Sequence, residues 1–525
     1  MTENTKVTYV SLLDDKESHR KYEQALRIVE GELGKHHPLF IAGKETRSAE
    51  EFEVRSPVDR SLVIGYFQEG GEEEAKKAIE AGKSYFPQWN STDWRSRVKE
   101  VRDTAVAIDR DMFNLAALMA FEIGKTRTEA LAEVGEASDM LRYYCDMYEK
   151  NEGFSLPMAS PAPGERCISV LRPHGLWVVI SPFNFPLALA AGMISGALLT
   201  GNTVVFKPTS AAALTGLRLY QAFMKGRVPP EALHFVTGPG SSFGDVVVSH
   251  PDVGGIAFTG SRAVGRWLTL NFADKQIYTK PLVAEMGSKN PAIVSEKADL
   301  SDAVEGVMRS AFGYGGQKCS ATSRVYVQET IKDVFLASLK ARVEKLKVGD
   351  PRLKTTFYGP LIDDHAKKIF LDAVIEAKAA GGTLITGGKL LKEGICAKGY
   401  YAEPTVVTGI PRRHRLLMEE LFVPFIIIDT FRTLEEALNE ANSTDFGLTA
   451  GIFSRDPGEI EYFFREIRSG VCYSNRRGGA TTGAWPGAQP FSGWKTSGST
   501  GKGVGGPYYL LSFVREQSQT RAGSG

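Results

Sequence analysis

The stretch Gly175–Phe206, GLWVVISPFNFPLALAAGMISGALLTGNTVVF, carries no charged side chain, and by length alone it qualifies as a membrane span. Its punctuation argues otherwise. SPFNFP and TGN cut it into an apolar strand, LWVVI, a helix-like run, LALAAGMISGALLT, and a second strand, TVVF. Strand, helix and strand, all apolar, make a buried βαβ unit.

The same alternation continues outward. ALHFVTG, GIAFTGS and LVAEMGSKNPAIV are β-rich runs separated by helical patterns, which predicts an α/β fold with a parallel, doubly wound sheet. A second series from about Ala303 to Phe453, including SRVYVQ and LFVPFIIIDTF, predicts a second α/β domain. Upstream, KESHRKYEQALRIVEGELG predicts a charged amphipathic helix closed by glycine, and WRSRVKEVRDTAVAIDRDMFNLAALMAFEIG predicts further helix. The proline-rich FSLPMASPAPGERCISVLRPHG predicts a segment that leaves its domain or crosses a surface.

Composition narrows the function classes. A chain of 525 residues exceeds one ordinary core and predicts two or three domains. Its 63 basic and 62 acidic residues lack the basic excess of a general nucleic-acid binder. The five cysteines, Cys145, Cys167, Cys319, Cys396 and Cys472, form no CxxC pair, so neither a disulfide framework nor a zinc site is expected, and no metal. With an N-terminus lacking a basic start and apolar run, a reducing, cytoplasmic setting is expected.

One cysteine stands apart. In SAFGYGGQKCSATSR, Ser310–Arg324, Gly313, Gly315 and Gly316 allow the backbone of Cys319 to approach a ligand closely. Most free cysteines are buried small hydrophobes, and the other four fit that description. A nucleophilic cysteine needs more: activation of the thiol and a place for the oxyanion it creates.

Eight blocks in order, SPFNFPLALA, VVFKPTS, IAFTGS, LVAEMGSKNPAIV, GYGGQKCSATSRVYV, EELFVPF, ANSTDFGLTAGIFS and QPFSGWKTSG, resemble the aldehyde dehydrogenase superfamily, and the likeness runs from about Pro38 to Phe513. It implies a Rossmann-type cofactor domain at 35–150 and 172–287, after an N-terminal extension at 1–34. A catalytic α/β domain at 288–499 follows, with a small β oligomerisation flap from 151–171 and 500–520. It further implies oxidation of an aldehyde through a cysteine thiohemiacetal and thioester. Cys319 takes the nucleophile's place, Glu285 of EMGSK the general base's, and Asn184 of PFNFP that of the oxyanion donor. For NAD or NADP the likeness points to Ser181, Pro182, Phe183, Lys207, Ser210, Gly240 and Gly244 of the GPGSSFG loop, Ser261, Glu420 and Phe422. Ser210 stands where a glutamate often repels the added phosphate, so NADP is expected to be tolerated, with preference between NAD and NADP open. Ser288 and Val423 replace family glycines.

Within the superfamily, the leading YEQALRIVEGELGKHHPLFIAGK, the serine after the nucleophile and NRRGGATTGAWPGAQPFSG resemble the 1-pyrroline-5-carboxylate dehydrogenase branch. That likeness implies glutamate γ-semialdehyde as substrate, in proline or arginine breakdown. Phe185 and Ser320 would lie beside it, and Gly483 and Ala484 would offer backbone N–H groups to its carboxylate. Another semialdehyde or a medium-chain aldehyde stays open, since Trp485, Pro486 and an extra arginine depart from the pattern. An inert, crystallin-like protein is disfavoured because all three reacting groups are present. The flap implies a homodimer or a multiple of dimers.

Overall fold

The computed structural model describes residues 16–479 and 485–523. It divides the opening stretch into strand Leu176–Ile180, helix Ala188–Leu199 and strand Thr203–Lys207. Every residue of that helix is buried, which is why its sequence shows no polar stripe. Ile194, Leu198 and Leu199 are fully enclosed, each stabilising the fold by about 1.5–3 kcal/mol. No helix among the described residues is long and apolar enough to cross a membrane.

The two strands are neighbours in a seven-stranded sheet. Across it run Leu282–Glu285, Val253–Thr259, Leu176–Ile180, Thr203–Lys207 and Leu233–Phe235, then Leu39–Ile41 and Lys44–Thr46. The first five are parallel and the last two antiparallel. From Leu176–Ile180 the chain adds two strands on one side, then returns to add two on the other. Such a reversal opens a crevice at the carboxyl ends, where doubly wound sheets bind ligands. Here it lies between Leu176–Ile180 and Val253–Thr259.

A second sheet runs Thr383–Thr386, Thr405–Thr408, Phe425–Phe431, Thr322–Gln328, Asn290–Val294, Thr449–Phe453 and Val471–Ser474, parallel except at its first strand. LVAEMGSKNPAIV, which reads as part of the first alternating series, is divided between the sheets. LVAE closes the first and NPAIV lies inside the second, because apolar patterning reports burial but not the sheet that supplies it. The long helical run after Trp94 also divides, into Trp94–Arg110 and Met112–Ile123. Asp111 leaves helical geometry between them and its carboxylate accepts from the Asn114 amide at 2.8 Å.

The proline-rich segment is not irregular. Its strands Ser155–Met158 and Glu165–Pro173 join Val514–Ala522 in a three-stranded antiparallel sheet. The N-terminal helix Lys16–Glu30 buries Tyr22, Ala25 and Val29.

Candidate active site

Each of the five parallel strands of the first sheet ends near an expected site residue. Ser181 to Asn184 follow Ile180, Lys207 ends its strand, and Ser210 opens the turn Ser210–Ala212. Gly240 starts helix Gly240–Ser249 after Leu233–Phe235, Ser261 follows Val253–Thr259, and Glu285 ends Leu282–Glu285. The second sheet uses its other edge. Cys319 and Ser320 precede Thr322–Gln328, and Glu420 and Phe422 precede Phe425–Phe431, so the carboxyl ends of one sheet face the amino ends of the other.

The glycines before Cys319 serve a purpose the sequence reading does not anticipate. Gly315 and Gly316 take φ of 62° and 71°, the left-handed region that glycine enters without steric cost. A Cβ on Gly316 would stand 2.5 Å from the Val423 carbonyl oxygen. The close approach is therefore between two loops of the chain, and Val423, though not a glycine, takes part through its backbone. The Cys319 carbonyl is fixed from below by the Asn290 amide at 2.7 Å and by the Ser288 hydroxyl. Asn290 also donates to the Ala321 carbonyl at 2.9 Å and accepts the Thr449 N–H at 2.9 Å. Sequence reasoning misses Asn290, since a polar residue opening a strand carries no distinguishing pattern.

The site is rich in carboxyls. Burial pushes the partly exposed Cys319 thiol up to about 12, and Glu420, Glu285 and Glu136 reinforce the shift. Glu285 is buried, and burial lifts it to about 8 against the single N–H of Gly493, 3.2 Å from its Oε2. Its Oε1 has no partner among the described residues. Glu420 accepts the Ser288 N–H at 2.7 Å, and a Cβ on Gly287 would stand 2.1 Å from its Oε2 and displace the carboxyl; burial lifts it to about 7. A protonated thiol thus sits in the field of two carboxyls poised near neutrality.

The switch-point side fits a dinucleotide. Lys207 is buried, pushed down to about 8 by burial, with its ammonium 5.8 Å from the centre of the Phe243 ring and 3.4 Å from the Pro208 carbonyl. The buried Ser181 hydroxyl has no partner among the described residues. These under-used polar groups suit a ribose, and Gly240 leaves open space where a Cβ would be, at the N-terminus of a helix whose N-cap, Pro239, makes no side-chain capping bond. Ser261 is exposed and its hydroxyl accepts the Val264 N–H at 3.3 Å, capping its own helix. Gly244 is buried against the Trp267 ring, and Ser210 is exposed. Phe183 and Phe422 meet edge to face at 5.9 Å, joining the loops of the two sheets.

The expected substrate contacts divide. Phe185 and Ser320 are buried, while Gly483 and Ala484 lie outside the described residues. Arg477 pairs with Asp302 at 2.5 Å. Arg476 is half-buried and donates to Gln489 at 2.9 Å.

The sequence pattern of the Aldehyde dehydrogenase family matches residues 44–518. The chain belongs to the aldehyde dehydrogenase family. This aldehyde dehydrogenase is 37% identical over 507 residues to the 1-pyrroline-5-carboxylate dehydrogenase of Geobacillus sp. (strain WCH70), covering 96% of each chain. Its identity to the protein of that name from Geobacillus kaustophilus (strain HTA426) is 36% over 498 residues, 94% of each chain. The crystal structure of 1-pyrroline-5-carboxylate dehydrogenase from Thermus with bound NAD matches the fold with a TM-score of 0.92, at 35% identity over 97% of each chain. Among the described residues, this aldehyde dehydrogenase has no group of three or more His, Cys, Asp or Glu side chains that could hold a metal ion.

Proposed function

We propose that this aldehyde dehydrogenase oxidises L-glutamate γ-semialdehyde, the open form of 1-pyrroline-5-carboxylate, to glutamate in amino-acid breakdown. The observation that carries the chemistry is Glu285: a buried, half-satisfied carboxyl in the field of the partly exposed Cys319, at the seam of the two sheets. The near-full-length likeness to proteins of that name supports the substrate.

Cys319 passes its proton to a neighbouring carboxyl and its sulfur bonds the aldehyde carbon. The Asn184 amide and the Cys319 N–H receive the oxygen's charge, each donor being worth about 3 kcal/mol in such holes. When bound, NAD(P)+ would supply the acceptor for the hydride that the thiohemiacetal carbon gives up as it becomes a thioester. Glu285 then takes a proton from water, which attacks the thioester; the carbon–sulfur bond breaks and the thiol is restored. Aldehyde, NAD(P)+ and water become carboxylate, NAD(P)H and protons. Phe185 lines the aliphatic part, with Ser320 beside it, and the role of carboxylate receiver falls to Gly483 and Ala484. Ser181, Pro182, Phe183, Lys207, Ser210, Gly240, Gly244 and Ser261 form the dinucleotide side, clasped by Glu420 and Phe422. NADP is accepted because Ser210 presents no negative charge. Residues 35–150 and 172–287 form the cofactor domain, 288–499 the catalytic domain, and 151–171 with 500–520 the assembly flap of a cytoplasmic homodimer or a multiple of dimers.

A second reading, another carboxylated aldehyde, is favoured by Arg476, which is half-buried without a carboxylate partner among the described residues. A panel of semialdehydes and medium-chain aldehydes with each dinucleotide, followed by NAD(P)H absorbance, decides between them. The highest kcat/KM is expected for glutamate γ-semialdehyde; a higher value for another aldehyde overturns the first reading.

A further inference from the structure

We infer that the buried Lys125–Glu133 ion pair is a positioning device for Asn184, holding the oxyanion donor against the loop that carries Cys319. The inference rests on the reading of Asn184 given above. Both side chains are fully enclosed. The Lys125 ammonium donates to the Glu133 carboxylate and, at 2.7 Å, to the Asn184 backbone carbonyl. The other Glu133 oxygen accepts the N–H groups of Leu187 and Ala188 at 2.9 and 3.2 Å. The pair therefore grips the PFNFP loop at Asn184 itself and again just after Pro186.

It reaches the other loop as well. Lys125 lies 3.6 Å from the centre of the Phe185 ring and 5.1 Å from that of Tyr314. The Tyr314 hydroxyl donates to the Ile123 carbonyl at 2.8 Å, and Tyr314 belongs to the glycine turn leading to Cys319. One helical turn before Glu133, Glu129 pairs with Lys318 at 2.6 Å, and Lys318 directly precedes Cys319. A single face of helix Arg127–Lys150 thus holds both loops.

Capping alone does not explain the lysine. Glu122 receives the Leu214 and Thr215 N–H groups at 2.7 and 2.9 Å at the start of helix Ala213–Lys225, and also accepts from the Thr215 hydroxyl, with no cation bonded to it among the described residues. Nor does stability, since buried ion pairs are often matched by apolar residues of equal volume. What Lys125 adds is a fixed position for the Asn184 backbone.

The test is a double-mutant cycle with Lys125→Met and Asn184→Ala, read as kcat/KM. Lys125→Met is expected to lower it by about 10- to 100-fold, the scale of a small misplacement of a reacting group. NAD(P)H affinity and the rate of Cys319 alkylation are expected to stay at wild-type values. In the Asn184→Ala background the same change should cost less than about threefold, because the two act as one unit. Losses that simply multiply, or Lys125→Met at wild-type kcat/KM, overturn the inference and leave the oxyanion reading standing. Asn184→Ala at wild-type kcat/KM overturns that reading and the inference with it. Should Lys125→Met not accumulate as folded protein, Glu133→Gln, which keeps the volume and breaks the pair, runs the same cycle with the same expected non-additivity.

Discussion

Glu285 faces two opposed demands, a dry surrounding that makes it a stronger base and ionisation before it can act. With its carboxyl lifted to about 8, thioester hydrolysis should speed up as pH rises from 6 to 9, levelling above about 8. Glu285→Gln should flatten that profile and cost about 100- to 10,000-fold in kcat; an unchanged pH–kcat curve in the variant would contradict the assignment. Stability should move the other way. The folded value lies above the ordinary 4.5, so the native state holds an extra proton between the two; this stabilisation is complete below about 4.5 and is lost as pH rises through about 8. Glu285→Gln should therefore gain thermal stability over the wild type at pH 9 more than at pH 6, and parallel melting curves would count against it. At Cys319 the strongest electrostatic opponent is Glu420. Glu420→Gln should raise the rate at which iodoacetamide labels Cys319 in the dinucleotide-free protein, read on the peptide that carries it, while Cys319→Ser should abolish labelling of that peptide and aldehyde oxidation, the other cysteines still reacting.

The turn before Cys319 and the loop before strand Phe425–Phe431 press backbone on backbone at Gly316 and Val423. Gly316→Ala must strain a φ of 71° and push on a carbonyl, so a loss of about 1–3 kcal/mol is expected by urea unfolding. Gly349→Ala, with open space around the new methyl, should lie within about 1 kcal/mol of the wild type. Such contacts mark the limit of what the sequence discloses. The βαβ unit was legible in Gly175–Phe206 because its proline and glycine punctuation is local, and the strand-end positions of Asn184 and Lys207 follow from it. The division of LVAEMGSKNPAIV was not, because the two halves are equally apolar and only tertiary pairing separates them. Asn290, Lys125 and Glu133 carry no local signal for the same reason: Lys125 and Glu133 stand 8 positions apart, and Asn290 stands 29 from Cys319.

At the scale of the molecule, the three-stranded sheet leaves strand Ser155–Met158 exposed throughout, with Leu156 and Met158 each more than half accessible. A bare edge of this kind invites pairing with another chain. Sedimentation should give a dimer or a multiple of it, and removal of residues 514–525 should shift the distribution toward monomer; a monomeric full-length chain would contradict this. The meeting of carboxyl ends from one sheet with amino ends from the other has an evolutionary consequence. Each scaffold supplies loops to both proposed tasks, Phe185 beside Phe183 on one wall and Ser320 with Phe422 on the other, so drift in either wall is felt by aldehyde and nucleotide together, and a lineage can change its diet of substrates only by relearning how to hold its oxidant.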